Sequence, residues 1–356
     1  AVAARVIFHG DASTWRHCLW INRGRDHGVA EFMPVVSGRT LVGRVFMVGA
    51  DHACVQLVTD PGFAASCIIV DPASPATAVR GILRGNASAL PHFPKLELED
   101  VPMGDAVRAG QRVRLELVPT DESRAFRPQA MPLVVLYEDE HLLVVDKPVG
   151  LVVHPAPGHW SGTLLNGLLA WHAAAATLPR GGIVHRLDKD TSGLMLVGKS
   201  LPAVTALVRD IAARQVHRRY LAIAHGVPAA AAFSIEAPIA RDPLSRVRMA
   251  VVPGGRPART DVQRLGALGQ GRDAVSALAC TLHTGRTHQI RVHLASRGHP
   301  LVGDLLYGGR PALGLQRQAL HATRLALDHP LTRTPLVFER PPPPDFAAAW
   351  AAVVPG

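Results

Sequence analysis

The stretch IVHRLDKDTSG, residues 183–193, places an acid, Asp188, between two basic residues and in front of a short polar turn. Its neighbours Arg186 and Lys189 are the usual partners of an exposed ion pair. The Thr-Ser-Gly that closes the stretch favours another interpretation. Short polar side chains and a permissive glycine can hold a loop by local hydrogen bonds and aim a carboxylate into a cleft. Asp190 is an alternative acid, and this stretch alone does not rank the two.

Two further regions carry side chains suited to chemistry. Tyr220 lies in RRYLAIAHG (218–226), and a concentration of arginine and histidine lies in TGRTHQIRVHL (284–294), which is followed by GHPLVGDLLYG (298–308). Together with Asp188 these regions offer one acid, one aromatic hydroxyl and several arginines. Taken by itself, Tyr220 fits a tyrosine in the core of a strand better than a functional residue.

The histidines of the later region do not form a metal-binding pattern. His283, His288 and His293 recur every five residues, which is not the i, i+4 spacing of a zinc-binding helix, and no acid lies between them. We therefore expect structural hydrogen bonds from these rings and predict no metal site. The chain also lacks a Walker pattern, and it lacks the GxSxG that would indicate a serine hydrolase.

The charge of the chain favours a polyanionic partner. The 356 residues carry a net charge of +10, and residues 131–356 hold 24 Lys and Arg against 15 Asp and Glu, whereas residues 1–130 hold 14 against 13. The basic character therefore belongs to the second part. In the whole chain only four of the basic residues are lysine, and the rest are arginine. The bidentate geometry of arginine suits nucleic acid, although high genomic GC content would produce the same bias.

Cysteine usage and hydropathy bear on the compartment. The four cysteines form no CxxC pair, which argues against a zinc site and against the disulfide framework of a small secreted protein. No apolar run approaches the roughly 18 residues of a membrane span, and no signal-peptide pattern is recognisable. We expect a cytoplasmic protein.

Composition divides the chain into two domains. Short β-branched runs separated by turn signals fill residues 1–85 and predict a small all-β barrel or sandwich. The polar, proline-bearing residues 119–132 predict a linker between a first domain, 1–118, and a second domain, 133–345. Strands and helices mix in the second domain without strict alternation, which predicts an α+β fold.

Three helices are expected in the second domain. Residues 163–176 have helical spacing, with Ser161 or Gly162 as the cap, and residues 201–216 form a strong amphipathic pattern. The run 288–298 follows a predicted strand and also fits a helix.

The second domain resembles the RluA family of RNA pseudouridine synthases. HRLDxxTSG together with TGRTHQIR is highly specific for that family, and VRAGQRVRLEL (107–117) resembles the segment that precedes the domain in the RluD branch. The resemblance implies a mixed, mainly antiparallel sheet and conversion of uridine in RNA to pseudouridine with no cofactor. The stretches that match, in the family's order, are LYEDEHLLVVDKPVGLVVHP (136–155), TLLNGLL (163–169), GIVHRLDKDTSGLMLVGKS (182–200), RRYLAIAHG (218–226), TGRTHQIRVHLASRGHPLVGDLLYG (284–308) and LHATRLALDHP (320–330).

The resemblance also implies roles for single residues. Asp188 would act at the sugar, as a nucleophile or as a base, and Tyr220 would stack on the uracil and help to remove its C5 proton. Arg286 would pair with Asp188 and keep it ionised, and Arg186 would fill the space left by the flipped uridine. Further RNA contacts are expected from Arg291, His185 and Lys189. The expected RNA is large-subunit ribosomal RNA or, failing that, transfer RNA.

The first domain resembles a different family. INRGRDHGV (21–29), LVGRV (41–45) and LVTDP (57–61) are similar to the extracytoplasmic β-domain of the rod-shape protein MreC. An extracytoplasmic module conflicts with RNA modification, so we expect a cytoplasmic enzyme whose first domain contacts a protein partner. The alternatives are a non-catalytic, membrane-associated scaffold with an appended RNA-binding domain, and a hydrolase of glycosidic bonds that uses Asp188 and Asp190.

Overall fold

A computed structural model describes residues 2–9, 18–37, 40–58, 60, 63–71, 74–85, 96–99, 112–116, 127–156, 159–245 and 247–354. Its contacts divide the chain into two units, Ala1–Ala130 with Pro155–Gly181, and Met131–His154 with Gly182–Gly356. The division near residue 130 falls within the predicted linker. Pro155–Gly181, which we expected in the second domain, groups with the first unit, and the bounds 1–118 and 133–345 stay predictions.

The first unit contains two antiparallel sheets, as the all-β prediction requires. Their strands are β1 (Val6–His9), β2 (Cys18–Ile21), β3 (Pro34–Ser37), β4 (Thr40–Val48), β5 (Ala53–Leu57), β6 (Ala64–Asp71), β7 (Ser74–Gly85), β8 (Leu96–Glu99) and β9 (Arg112–Glu116). The orders are β1-β2-β5-β4-β3 and β8-β7-β6-β9. The strand β7 covers the last twelve residues of the stretch 1–85 that the sequence assigns to β-structure.

The first sheet buries a charged residue together with its apolar side chains. Arg44 on β4 is fully buried, and its Nε donates to Oε1 of Gln56 at 3.0 Å. Nε2 of Gln56 in turn donates to Oδ1 of Asp60 at 3.0 Å, and the Arg44 guanidinium lies over the ring of Phe63. Because Arg44, Gln56 and Asp60 are linked by hydrogen bonds inside the sheet, this cluster is compatible with a stable core.

A short helix belongs to the second segment of the first unit. The helix α1 spans Leu164–Trp171, and its cap is Thr163 rather than the expected Ser161 or Gly162. The Thr163 side chain accepts from the backbone N–H of Asn166, while Oδ1 of Asn166 accepts from the N–H of Thr163 at 3.0 Å. This reciprocal pair satisfies two amide groups that the first turn leaves free, which is why the helix begins there.

The second unit is built on one large mixed sheet, which confirms the predicted α+β class. Its order is β10-β11-β12-β19-β13-β18-β17-β14, with β20 paired to β19 and a separate hairpin β15-β16. All pairs are antiparallel except β12 with β19. The strands are β10 (Val134–Glu138), β11 (Leu142–Lys147), β12 (Ser192–Gly198), β13 (His217–His225), β14 (Ala232–Glu236), β15 (Ile239–Arg241), β16 (Met249–Val251), β17 (Arg259–Leu268), β18 (Val275–Leu282), β19 (Leu320–Asp328) and β20 (Pro335–Glu339).

The parallel contact lies at the end of the DKDTSG stretch, residues 188–193. Ser192 pairs with His321 and Gly193 with Ala322. Gly193 has a φ of +112°, and a Cβ at this position would lie 2.2 Å from the carbonyl oxygen of Ala322. Only glycine fits this approach of two backbones, so the sequence TSG fixes where the loop enters the sheet.

Three helices complete the second unit: α2 (Leu201–Ala212), α3 (Gln289–Ser296) and α4 (Pro344–Val353). Leu207 of α2 packs in a core with Leu142, Leu194 and Leu325 from three strands. Phe346 of α4 belongs to a second core with other buried side chains, namely Ile223, Val275, Ala277 and Val302. Among the described residues, no helix is both long and apolar enough to span a membrane.

Candidate active site

The loop that carries Asp188 is anchored by a buried lysine. Lys147, at the end of β11, is fully buried, and its Nζ donates to three backbone carbonyls: Lys189 at 2.8 Å, Pro148 at 2.7 Å and Leu151 at 2.9 Å. Burial lowers the pKa of Lys147 to about 8, although the nearby Asp190 and Asp188 partly oppose this shift. The lysine thus ties the DKPVG turn to the loop that carries Asp188.

Contacts from the C-terminal part hold the other side of the same loop. Nη1 of Arg317 donates to the carbonyl of Asp190 at 3.0 Å, while its Nε and Nη2 donate to the Asp345 carboxylate at 2.8 and 3.1 Å. Ser192 Oγ lies 3.0 Å from Nδ1 of His321. The loop is therefore fixed on both sides of Asp188, and the Asp190 carbonyl serves as one of its attachment points.

The carboxylate of Asp188 is held by Arg291 on α3. Nη1 of Arg291 lies 2.9 Å from Oδ2 of Asp188, and the two side chains are 7 % and 15 % exposed. Nε and Nη2 of the same guanidinium donate to Asp304 at 2.7 and 2.9 Å. Burial would lower the pKa of Arg291, but its hydrogen bonds to Asp304 and the charge of Asp188 together raise it. Arg291 remains a cation between two acids.

The expected pair between Arg286 and Asp188 is therefore wrong. Nε of Arg286 donates to the carbonyl of Pro257 at 3.2 Å, and its backbone N–H donates to the side chain of Gln289. Arg286 lies in the turn before α3, whereas Arg291 lies inside the helix and points at the acid. Arg291 is 6 % exposed and engaged by two carboxylates, and its expected contact with RNA stays a prediction.

A histidine and a tyrosine extend the network on the other side of Asp188. Nδ1 of His288 lies 2.8 Å from the hydroxyl of Tyr307, which accepts from the backbone N–H of Met249 at 2.9 Å. Since the hydroxyl already accepts one bond, we assign its proton to the His288 contact. Nε2–H of His288 then faces Oδ1 of Asp188 at 3.8 Å. Burial lowers the pKa of His288, and the Asp188 charge opposes this.

The histidines that were expected to make structural hydrogen bonds do so. His283 Nε2 lies 2.6 Å from Oδ2 of Asp261, and His293 Nδ1 lies 2.9 Å from the hydroxyl of Thr260. With His288 on Tyr307, each of the three rings has a partner that explains its position. Their five-residue spacing has no common function in the structure.

Tyr220 lies on β13 near the acid. It is 5 % exposed, and burial raises the pKa of its hydroxyl, with a smaller contribution from the negative charge of Asp188 and an opposing one from Arg218. Tyr220 is therefore protonated at neutral pH. Its low exposure also fits the core tyrosine that the isolated sequence suggested.

The remaining expected RNA contacts differ from one another. Arg186 and Lys189 are exposed, so their cationic groups can reach a phosphate or a base. His185 is different. Its Nε2 accepts from the backbone N–H of Leu196 at 2.9 Å, and its Nδ1 is enclosed. Burial, together with the nearby Arg218 charge, lowers the pKa of His185 to about 3. The ring is a neutral support of the sheet, and the expected contact of His185 with RNA stays a prediction.

The interpretation of the sequence missed Lys147, Asp304 and Tyr307 as parts of the site. All three stand in stretches that carry the family resemblance, DKPVG and GDLLYG, which is the signal that could have found them. What the sequence could not supply was their pairing, because Lys147 meets the loop 42 residues later in the chain.

Known proteins can now be compared with this arrangement. Residues 141–296 match the family model described as RNA pseudouridylate synthase. The ribosomal large subunit pseudouridine synthase D of Nitrosomonas europaea is 46 % identical over 255 residues, which cover 69 % of this chain and 73 % of that protein. The chain belongs to the RNA pseudouridylate synthase family. It is thus an isomerase that converts uridine in RNA to pseudouridine, as expected, and the scaffold alternative is not favoured.

A second relative gives the same assignment. The pseudouridine synthase D of Xanthomonas campestris pv. campestris is 45 % identical over 262 residues, covering 70 % of this chain and 77 % of that protein. Among solved structures, human RNA pseudouridylate synthase domain containing 1 shares 29 % identity and a TM-score of 0.49, covering 62 % of this chain and 88 % of that chain.

The first domain matches a second family. Residues 7–116 match the model described as rod shape-determining protein MreC, barrel core. The crystal structure of MreC from Pseudomonas aeruginosa shares 24 % identity and a TM-score of 0.24, covering 31 % of this chain and 64 % of that chain. The predicted MreC-like domain is confirmed at the level of the family match.

Proposed function

We propose that this synthase modifies uridines of large-subunit ribosomal RNA and that Asp188 acts on the sugar. The observation that carries the proposal is the Asp188 carboxylate itself, which keeps 15 % exposure while Arg291 holds its Oδ2 at 2.9 Å. Oδ1 is thereby turned towards His288 and away from the ion pair. A carboxylate that is fixed but still accessible suits a group that must reach a reacting atom.

The reaction balances without a co-reactant. The N1–C1′ bond of the uridine breaks, the uracil turns, and a C5–C1′ bond forms; the proton on C5 leaves and N1 gains one. Asp188 acts on the sugar either by attack on C1′ or by removal of a sugar proton, and both use the same free oxygen. Tyr220 stacks on the base and assists removal of the C5 proton. Its own hydroxyl stays protonated, so that proton passes to water.

Access to the uridine requires that it leave its stack. The cost of flipping is a few kcal/mol, and a planar cation inserted in the vacated space offsets part of it. Arg186 is exposed and stands two residues before Asp188, so one loop supplies both the insertion and the chemistry. Lys189, also exposed, would contact a nearby phosphate.

The choice of RNA rests on the relatives, which are named ribosomal large subunit pseudouridine synthase D. Such a substrate would place the enzyme in the cytoplasm. The near-neutral first domain, with 14 basic and 13 acidic residues up to position 130, is better suited to a protein partner than to RNA. Ultraviolet crosslinking to RNA followed by peptide mapping would detect contacts only in residues 131–356, and crosslinks within 1–116 would contradict this division.

The test of the function is tritium release from 5-tritiated uridine in transcribed large-subunit ribosomal RNA. Wild-type protein should release tritium, and Asp188→Asn, which keeps the side-chain shape, should release none while melting as a folded protein. Release from transfer RNA alone would move the substrate and keep the chemistry. No release from either RNA by a folded wild type would overturn the proposal.

A further inference from the structure

Charged side chains buried in the second unit have partners, with one exception among the described residues. Asp304 is matched by Arg291, and Asp210 receives Arg333 at 2.7 Å. Arg218 on β13 is only 4 % exposed, yet no carboxylate or carbonyl of the described chain accepts a hydrogen bond from it, and its Nε is enclosed. An uncompensated buried cation is costly to a folded protein.

The position of Arg218 links it to the active site. It stands two residues before Tyr220, and both side chains are buried, so the two share one face of β13. Its charge acts on Tyr220 and on His185. The backbone of Gly285 approaches so closely that a Cβ there would lie 2.9 Å from Nη1 of Arg218. The guanidinium therefore sits between the strand of the tyrosine and the turn before α3.

We propose that Arg218 binds one phosphodiester group of the substrate RNA, next to the uridine that enters the site. This inference rests on the proposed function and names a contact within it. A phosphate supplies the full negative charge that a buried guanidinium lacks, and it matches the planar fork of arginine in a bidentate geometry. A uracil carbonyl could accept a hydrogen bond but would leave the charge uncompensated.

The contrast between two arginines supports the assignment. Arg291, with two carboxylates, has its pKa raised, whereas burial lowers the pKa of Arg218 and only Tyr220 opposes this. The site is thus electrostatically incomplete without an anion. The side chain of the adjacent Arg219 is exposed and belongs to the opposite face of the strand, so it offers a matched control.

The first experiment measures RNA binding as a function of salt for wild type, Arg218→Met and Arg219→Met. The RNA is a synthetic fragment containing a uridine that the tritium assay has shown to be modified. Arg218→Met should weaken binding about 10- to 100-fold and reduce the slope of log K against log salt by about 1. Arg219→Met should stay within about twofold of wild type. An unchanged salt slope in a folded Arg218→Met would overturn the proposal.

The second experiment identifies the phosphate. Neutral methylphosphonates replace the phosphates around the modified uridine one at a time. Wild type should lose affinity sharply at one position, and Arg218→Met should be insensitive there. If the methionine variant does not fold, Arg218→Lys replaces it, with intermediate affinity and a retained salt slope as the expected result. Equal losses in wild type and variant at every position would overturn the assignment. The assignment would also be overturned if inorganic phosphate stabilised the wild type while wild type and Arg218→Met bound RNA with the same affinity. Failure of the proposed function would show differently, as absence of tritium release by wild type.

Discussion

Asp304 occupies two nitrogens of the Arg291 guanidinium, Nε at 2.7 Å and Nη2 at 2.9 Å, and leaves Nη1 for Asp188. Because the Asp304 side chain is 1 % exposed, this fork is rigid and shielded from solvent. The direction of the third nitrogen, and with it the orientation of Asp188, is therefore set by an acid that does not touch the substrate. Asp304 is a positioning residue.

Replacement of Asp304 by Asn should lower kcat by about 10- to 100-fold with little change in KM, because the amide offers Arg291 one acceptor instead of two and the acid loses its alignment. The variant should also lose about 3 kcal/mol of unfolding free energy, since a buried cation is left with half of its counter-charge. Steady-state kinetics and urea denaturation measure the two effects. Asp273→Asn is the control, because that acid is 94 % exposed against Arg310 and should change neither. A changed KM with an intact kcat would contradict the positioning role.

Lys147 predicts an alkaline limit to activity. Its pKa is about 8, lowered by burial, and its three carbonyl partners use the three protons of the ammonium group. Above pH 8 the neutral amine donates only two hydrogen bonds, so the loop of Asp188 loosens and kcat should fall. Stability changes in the opposite direction: the unfolded chain keeps its proton up to pH 10.5, so the unfolding free energy contributed by this group rises between pH 8 and 10.5.

The pH profile of kcat, taken beside thermal melting, tests this pair of opposite trends. Lys147→Arg keeps its charge and should lose the alkaline limb, whereas Lys147→Met should lose about 2–4 kcal/mol of stability, because three carbonyls are left without donors. A wild-type kcat that is flat from pH 7 to 9.5 would show that the ammonium group does not control the loop.

Much of the second unit could be predicted from its sequence because local patterns and global fold agree there. The helix expected at 201–216 is α2, and β12 begins at Ser192, directly before the glycine that the neighbouring strand requires. The charge of Asp188 acts on the pKa of Tyr220, and the joint role that the family resemblance implied for these two residues stays a prediction. Such regions can be predicted because their helix or strand propensity, their hydrophobic pattern and their packing agree.

The choice between Arg286 and Arg291 could not be predicted. Both belong to the run TGRTHQIR, and their direction depends on His288, whose φ of 55° lies in the left-handed region. A non-glycine residue in that conformation is uncommon, and it turns the chain between the two arginines. The second of them therefore meets Asp188 from inside a helix. No residue pattern in this run predicts that the chain turns at His288 and brings Arg291, rather than Arg286, to Asp188.

The low pKa of His185 predicts that the folded protein loses stability at acid pH. The folded pKa is about 3 and the ordinary value is 6.5, so between these values the unfolded chain binds a proton that the folded chain does not. Stability from this group is present above pH 6.5 and is lost as the pH falls towards 3. His185→Gln keeps an acceptor for Leu196 and should reduce the loss by about 2 kcal/mol between pH 6.5 and 4. Urea denaturation at several pH values measures it, and parallel curves for the two proteins would refute the assignment.

Tyr307 connects the β15-β16 hairpin to the acid, and removal of its hydroxyl tests that connection. Tyr307→Phe keeps the ring, which lies 5.0 Å from the Arg291 guanidinium carbon, but leaves the Met249 N–H without its acceptor and His288 without the hydrogen bond that fixes its tautomer. With the imidazole free to turn, the field at Oδ1 of Asp188 is no longer defined, and kcat should fall about 3- to 30-fold. Tyr137→Phe loses a comparable hydroxyl contact, at 2.6 Å to Asp139, outside the site, and its kcat should stay at the wild-type level.

A double variant, Tyr307→Phe with His288→Gln, tests whether the Tyr307 hydroxyl acts on Asp188 through the His288 ring. If the hydroxyl acts through the imidazole, the second change adds little to the first; independent, multiplying losses would mean that Tyr307 serves only the packing of Arg291.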